Sequence, residues 1–222
     1  MQTMMKADIE IVEARPEDAP FIAWVMLAAA RSHLDRGMWD FMAGPDEART
    51  LRFLEALASA PEPHWAHHSM FLVAKVNGRP AAALGGYFEE EHGPALLGMA
   101  IPAAASAAGM DLEELSRVWL TSGGATISKV TPEHVPGAWI VEHVATLPEF
   151  RRLGLIDGLL AAVIEKGRSR GATVVDVGVF IGNDRAQRAY EKAGFVVTRE
   201  RRNADFEAAY VFPGVRELSR SI

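Results

Sequence analysis

Residues 139–171 read WIVEHVATLPEFRRLGLIDGLLAAVIEKGRSRG, and the rest of the chain is organised around them. Residues 139–147 are rich in β-branched and aromatic types, which predicts a strand. Pro148 ends it, because proline cannot donate to a ladder. From Leu155, apolar residues at 155, 156, 159, 160, 163 and 164 recur at helical spacing. Gly171 stands where a C-terminal cap is expected, and Lys166, Arg168 and Arg170 fill the last turns. Between strand and helix lies the loop Phe150-Arg151-Arg152-Leu153-Gly154-Leu155-Ile156.

That loop has a chemical use. A helix start leaves backbone N–H groups without partners and carries positive partial charge. A glycine lets a ligand approach the backbone, and neighbouring arginines add full charge and planar donors. Together they form an anion site suited to a pyrophosphate. The plainer alternative is a strand-to-helix turn with solvated arginines.

The 222 residues, 49% of them hydrophobic, suffice for one core. The net charge of −6 disfavours a nucleic-acid partner and suits a cationic amine. The absence of cysteine excludes a disulfide framework, a thiol nucleophile and a cysteine metal site. No apolar run reaches membrane-spanning length, and MQTMMKAD lacks the apolar core of a signal peptide. A cytoplasmic protein without membrane or nucleic-acid partners is therefore expected.

Taken in order, DIEIVEA (8–14) alternates as a strand, and Arg15-Pro16-Glu17-Asp18 opens a helix through residues 21–34. Residues 35–45, with Gly37, Gly44 and Pro45, predict a loop in which Trp39 and Phe41 cover the core. Asp46 to Ala58 predicts a second helix. HWAHHS (64–69) holds three histidines; a metal site is conceivable, but no partner sits at a recognised spacing, and a polar loop is the preferred reading. Residues 70–76, Asn77-Gly78 and residues 80–88 predict a hairpin, with Gly85 and Gly86 marking a bulge or close approach. Residues 89–137 predict a helical insertion between core strands, suited to a substrate wall or a dimer contact. ATVVDVGVFIG (172–182) predicts a buried strand, parallel to that at 139 because a helical crossover joins them. NDRAQRAYEKAGF (183–195) predicts a helix capped by Asn183 or Asp184 and ended by Gly194. Segments 195–201 and 206–212 read as a final antiparallel hairpin. The fold class expected is α/β, with a mixed sheet, in one domain over 1–222.

A strand, Arg151-x-x-Gly154, a helix, a strand, then Asn183-x-x-Ala186-x-x-x-Tyr190-x-x-x-Gly194-Phe195: this succession resembles the GNAT superfamily of N-acetyltransferases over residues 139–197. The resemblance implies that family's acyl-CoA N-acyltransferase fold, acetyl-CoA as donor and a primary amine of a small molecule or protein as acceptor, without a metal. It implies a pyrophosphate on the loop amides, matching Arg151, Arg152, Leu153, Gly154, Leu155, Ile156 and Asp157. It also implies a pantetheine paired with the backbone of Val144, Ala145 and Thr146, contacts from Asn183 and Ala186, and Tyr190 as general acid. Two positions depart from the pattern: Ile156, usually glycine or alanine, and Arg152, often glycine.

Attack of an amine on a thioester needs a base, because an alkylammonium has a pKa of about 10.4. Glu142 is the candidate. A carboxylate inside IVEHVAT is costly unless partnered, and strand parity puts it on one face with Val144 and Thr146. The same parity sends His143, the second choice, to the opposite face. A structural pairing of Glu142 with an arginine, and a Tyr190 merely packed on the sheet, are the plain alternatives. A non-catalytic CoA-binding module of the same fold is the competing functional reading; a nucleotide-binding domain is disfavoured by the lack of Gly-x-Gly-x-x-Gly and Walker loops. A homodimer is compatible with the sequence.

Overall fold

The computed structural model describes residues 7–121 and 123–222. Most of the MQTMMKAD leader reading and Ser122 of the Ser122-Gly123-Gly124 break lie outside the described residues. Seven strands form one sheet in the order β1-β2-β3-β4-β5-β7-β6. They are β1 (Ile9–Glu13), β2 (Phe71–Val76), β3 (Arg79–Phe88), β4 (Trp139–Thr146), β5 (Val174–Phe180), β6 (Val196–Arg202) and β7 (Gly214–Ser221). Among the described residues, only β4 and β5 pair in parallel. A long helix joins those two strands, as a crossover connection requires.

The helices are α1 (Ala19–Arg31), α2 (Met38–Ala43), α3 (Glu47–Ala58), α4 (Glu89–His92), α5 (Pro94–Ala107), α6 (Leu112–Thr121), α7 (Leu155–Ser169), α8 (Asp184–Lys192) and α9 (Ala204–Tyr210). Asp46 Oδ1 accepts from Arg49 N at 3.1 Å and so caps α3. Asn183 caps α8 in the same way through Ala186 N. One core layer packs α1, α3 and α5 against the sheet through Ile22, Met26, Phe53, Leu54 and Ile140. On the other side, α7 and α8 bury Leu159, Leu160, Val163 and Tyr190 with Trp139 and Val141.

The insertion over 89–137 is helical as expected, comprising α4–α6 and a 3-10 turn at Gly124–Lys129. Three expectations are corrected. Residues 38–43 form α2, within the segment read as loop; Trp39 is nonetheless fully buried, as the core reading held. The three-histidine stretch is a turn, but His64 and His67 are buried rather than solvated. Residues 204–210 are helix, not the second arm of a hairpin: Asn203 Oδ1 caps it through Phe206 N, and Phe206 and Tyr210, four apart, bury one helical face. The partner of β6 is instead β7, which enters the sheet between β5 and β6. Its Arg216 and Glu217 pair with Glu200 and Arg201 of β6, so ion pairs add to the backbone ladder between those strands.

Trp139 explains how α7 sits so close to the sheet. Its indole fills the space beside two glycines, Gly86 on β3 and Gly167 on α7. A Cβ at Gly167 would lie 2.6 Å from Trp139 Cγ, and one at Gly86 would lie 2.6 Å from Trp139 Nε1. The close approach expected of Gly86 is therefore made to Trp139 and Val163.

Candidate active site

β4 and β5 pair only over Trp139–Val141 and Val175–Val177. Beyond Val141 the two strands part, while β4 continues to Thr146 along β3 and β5 continues to Phe180 along β7. The edges that face each other across this gap are unpaired, which leaves backbone N–H and C=O groups open to an extended chain. A cavity of about 560 Å³ fills the opening.

β4 itself is irregular at the mouth of the gap. Its register against β3 jumps between Ala83↔Ala145 and Gly85↔Glu142, and His143 has φ +54°. This is a β-bulge, and it corrects the parity reading. Ile140 and Ala145 lie in the α1 layer, whereas Val141 and Val144 lie in the α7 layer, so one extra residue separates the rows. Glu142, two from Ile140, thus does not share a face with Val144. His143 is not turned away from it either: its ring stacks on Trp65 at 4.9 Å and Phe71 at 6.0 Å, within the α1 layer. Burial among these rings lowers the imidazole pKa to about 3. His143 is a neutral wall residue with its Nε2 unpartnered.

The loop after β4 delivers the amide cradle. Gly154 is the N-cap of α7 with φ +75°, and no side chain caps the helix. Its first N–H groups therefore face the cavity side without intrahelical partners. Arg152 also has φ +66°, a conformation glycine adopts freely, which explains why a glycine suits that position. Arg151, Arg152, Gly154, Leu155, Ile156 and Asp157 line the cavity; Leu153 does not, and its side chain is exposed. Among the described residues, neither Arg151 nor Arg152 makes an ion pair. Asp157 is held by Lys192 of α8 at 2.6 Å. Ile156 is half-buried against the α7 layer, so its bulk is partly absorbed by the core.

Val144, Ala145 and Thr146 line the same cavity from the unpaired edge of β4, and Asn183, Ala186 and Tyr190 line it from α8. Asn183 spends its side chain on structure: Oδ1 accepts from Ala186 N, and Nδ2 donates to Ser32 Oγ at 2.7 Å, tying α8 to the end of α1. Tyr190 is buried against Phe195 at 6.1 Å. Burial, reinforced by the charge of Glu142, pushes its phenol well above 10. Burial likewise raises the Glu142 carboxyl, opposed by the charge of His134 and by the His143 N–H.

The far end of the cavity is walled by Trp24, Met38, Trp65, Tyr87 and the insertion residues Glu89, Ile127 and His134. The insertion and the region from Trp24 onward both contribute to this wall, whereas Phe41 packs with Tyr210 and Val130 in a separate cluster. Two residues there escaped the sequence reading. His134 Nδ1 stands 3.5 Å from Asp176 Oδ2, and Asp176 also accepts from Ser219 Oγ at 2.6 Å and from Val135 N at 3.2 Å. The signal was present, because Asp176 is a lone carboxylate in the apolar run VVDVGVF, as Glu142 is in IVEHVAT. No cluster of potential metal ligands occurs among the described residues.

An extended edge of β4, an uncapped helix start and two unpaired arginines form a cradle that fits acetyl-CoA: the edge suits the pantetheine amides and the loop suits the phosphates. The sequence profile described as the acetyltransferase (GNAT) family matches residues 121–195. No curated protein matches the chain by sequence. Among solved structures, the chain is similar to an N-acetyltransferase from Staphylococcus aureus Mu50 (20% identity, 95% of this chain and 100% of that one, TM-score 0.63). It is also similar to yncA from Salmonella typhimurium, solved with its cofactor acetyl-CoA (16% identity, 96% and 93%, TM-score 0.53). A third similar structure is a variant of agmatine N-acetyltransferase in apo form (18% identity, 97% and 100%, TM-score 0.52). Residues 121–195 thus match the acetyltransferase (GNAT) family profile, and the chain as a whole shares the fold of these solved acetyltransferases.

Proposed function

We propose that this protein moves the acetyl group of acetyl-CoA to a primary amine of a small molecule or of a protein by direct attack, with Glu142 as base and Tyr190 as acid. The observation that carries the reading is the gap between β4 and β5, which runs from the uncapped start of α7 to Glu142 and Tyr190. The α7 amides with Arg151 and Arg152 hold the diphosphate, and the β4 edge from Val144 to Thr146 pairs with the pantetheine. The bulge beside His143 turns a strand amide towards the acetyl carbonyl.

Glu142 takes a proton from the entering ammonium, and the freed lone pair forms the C–N bond. The C–S bond then breaks, and Tyr190 donates to the sulfur, recovering its proton from the amine nitrogen. His143 is too weak a base for this step, because its pKa of about 3 leaves it with little affinity for a proton near neutrality. The cations that line the cavity, Arg151, Arg152 and Arg185, belong to the α7 loop and α8. The other end carries the carboxylates Glu89 and Glu142 beside aromatic faces, which suits a cationic amine. Agmatine, the acceptor in the name of one structural relative, is a compound of that kind.

Calorimetry with CoA at low salt tests the cradle, and thiol release over a panel of amines tests turnover. Tyr190→Phe and Glu142→Gln should each lower kcat by about 10²-fold while leaving acetyl-CoA affinity in place. A protein that ignores CoA removes the reading. One that binds CoA and acetylates no amine is a binding module instead.

A further inference from the structure

The reaction just described needs Glu142 to be a carboxylate, yet its surroundings favour the neutral acid. Burial raises its pKa, and Tyr87 and Glu89 at the same end of the cavity offer it no positive charge. Among the described residues no lysine or arginine pairs with it, so the plain alternative of a structural Glu142–arginine pair is absent from them. Among the described residues, the basic group that lines this end of the cavity is His134, supplied by the insertion.

His134 is held in place, and its neighbours raise its pKa against the effect of burial. Its side chain is 11% exposed, and Nδ1 lies 3.5 Å from Asp176 Oδ2. Asp176 is itself fixed by Ser219 Oγ of β7 and by Val135 N of the same loop. With Nδ1 turned to Asp176, Nε2 is on the far side of the ring, as imidazole geometry requires. Asp176 is paired in register with Ile140, two residues before Glu142, so the carboxylate that holds the imidazole and Glu142 belong to adjoining strands at the point where those strands part. Among the described residues Glu142 and His134 form no direct ion pair, and both line the cavity.

We propose that His134, pinned by Asp176, is a positioning residue for the base: its imidazolium holds Glu142 in the carboxylate form inside an apolar cavity. This rests on the acetyl-transfer reading of the site. Every charged group that faces His134 fits the role. Glu142 of β4, Asp176 of β5 and Glu89 of α4 raise its pKa against the opposing effect of burial. Burial raises the pKa of the Tyr87 and Tyr190 phenols, reinforced by Glu142 and, for Tyr87, by Glu89. Glu133, its neighbour in sequence, is engaged by Arg199 and Arg201 of β6. Three carboxylates against one imidazolium leave an excess of negative charge, so a cationic amine is still drawn in.

The test has two arms on the full chain. In the first, the Glu142 carboxyl carbon is titrated by NMR, assigned by its loss in Glu142→Gln. Its pKa should rise by about one unit in His134→Gln, rise less in Asp176→Asn, and return towards the original value in His134→Lys. In the second, kcat/KM for thiol release from acetyl-CoA with the best amine of the panel is followed against pH. The acid limb should move up by a similar amount in His134→Gln, a loss of about tenfold below the limb that vanishes near pH 9. A Glu142 titration unmoved by His134→Gln overturns the inference, as does a loss of activity equal at every pH or equal behaviour of the Gln and Lys variants. Failure of the acetyl-transfer reading looks different: the wild-type chain then shows no thiol release at any pH, whatever the Glu142 titration does.

Discussion

Two glycines of the same helix should respond in opposite ways to the same added methyl group. Gly158 and Gly167 both lie within α7, where alanine is favoured over glycine by about 1 kcal/mol. At Gly158 the new Cβ meets only Ile11 Cδ1 at 3.0 Å, the free end of a side chain that can rotate. Gly158→Ala should therefore raise stability by about 0.5–1 kcal/mol. At Gly167 the new Cβ lies 2.6, 2.9 and 3.0 Å from Cγ, Cδ1 and Cβ of Trp139. Carbon atoms pack at about 3.5–4.0 Å, so ring and helix must separate by about 1 Å. Trp139 has nowhere to retreat, because it is 1% exposed and abuts Gly86 on its other side. Overpacking of this kind costs about 1–3 kcal/mol, which outweighs the propensity gain and leaves Gly167→Ala about 1–2 kcal/mol less stable than the parent. Urea unfolding should separate the two variants by about 1 M in midpoint at unchanged slope, and heating by about 5–10 °C. CoA affinity should survive in Gly158→Ala, since that residue is not part of the cavity wall. A Gly167→Ala midpoint at or above the parent's would refute the argument that Trp139 sets the distance between helix and sheet.

Two further outcomes follow from backbone and burial. Gly154→Ala has open space around its methyl group but must hold φ +75°, a strain of about 1–2 kcal/mol that asparagine bears more easily; CoA binding by calorimetry should weaken about tenfold in the alanine variant and less in Gly154→Asn, and equal affinities in all three proteins would remove the left-handed cap from the account. Acid should destabilise the fold well before its carboxylates titrate: His64, His67 and His143 are buried, and burial is the leading cause that lowers their pKa values to about 4, 4 and 3. The unfolded chain, with histidines near 6.5, binds protons first, so this contribution is complete above about pH 6.5 and is lost as the pH falls towards 4, by up to about 1.4 kcal/mol per pH unit per histidine. A urea midpoint unchanged between pH 7.5 and 5, or a His143→Phe variant with the parent's pH slope, would contradict it.

The β4–α7–β5 unit was legible because each of its elements carries its own local signal. Strand 139–146 is a dense run of β-formers, α7 has a clean helical period, and Asn183 and Gly194 bracket α8 in plain view. What the sequence hid is where those local rules are broken. The bulge at His143 puts a left-handed backbone on a residue that does not advertise it, and every parity argument past Glu142 shifts by one. Residues 206–212 fit both a two-residue and a four-residue repeat, and only the Asn203 cap and the burial of Phe206 with Tyr210 decide for helix. β7, GVRELSRS, has only Val215 and Leu218 as large apolar residues and no alternation to read, and its Arg216 and Glu217 form ion pairs with β6.

The two ends of the cavity differ in the same respect. The donor end is made of backbone: an unpaired strand edge, a helix start and a left-handed glycine, all within residues 139–157. Backbone sites of this kind need a particular path of the chain rather than particular side chains; Arg152 holds the left-handed φ of +66°, and Ile156 packs partly into the α7 layer. The acceptor end is made of side chains drawn from α1, β3, β4, β5 and the insertion, and His134 and Asp176 are 42 residues apart in sequence. Only the fold brings them together, and the parting of β4 and β5 determines where. The same break in strand pairing that opens an edge for a coenzyme thus exposes Glu142 to an imidazole carried on the opposite bank. The insertion lies apart from the cradle in sequence, because no residue of it belongs to the α7 loop or to the unpaired edge of β4.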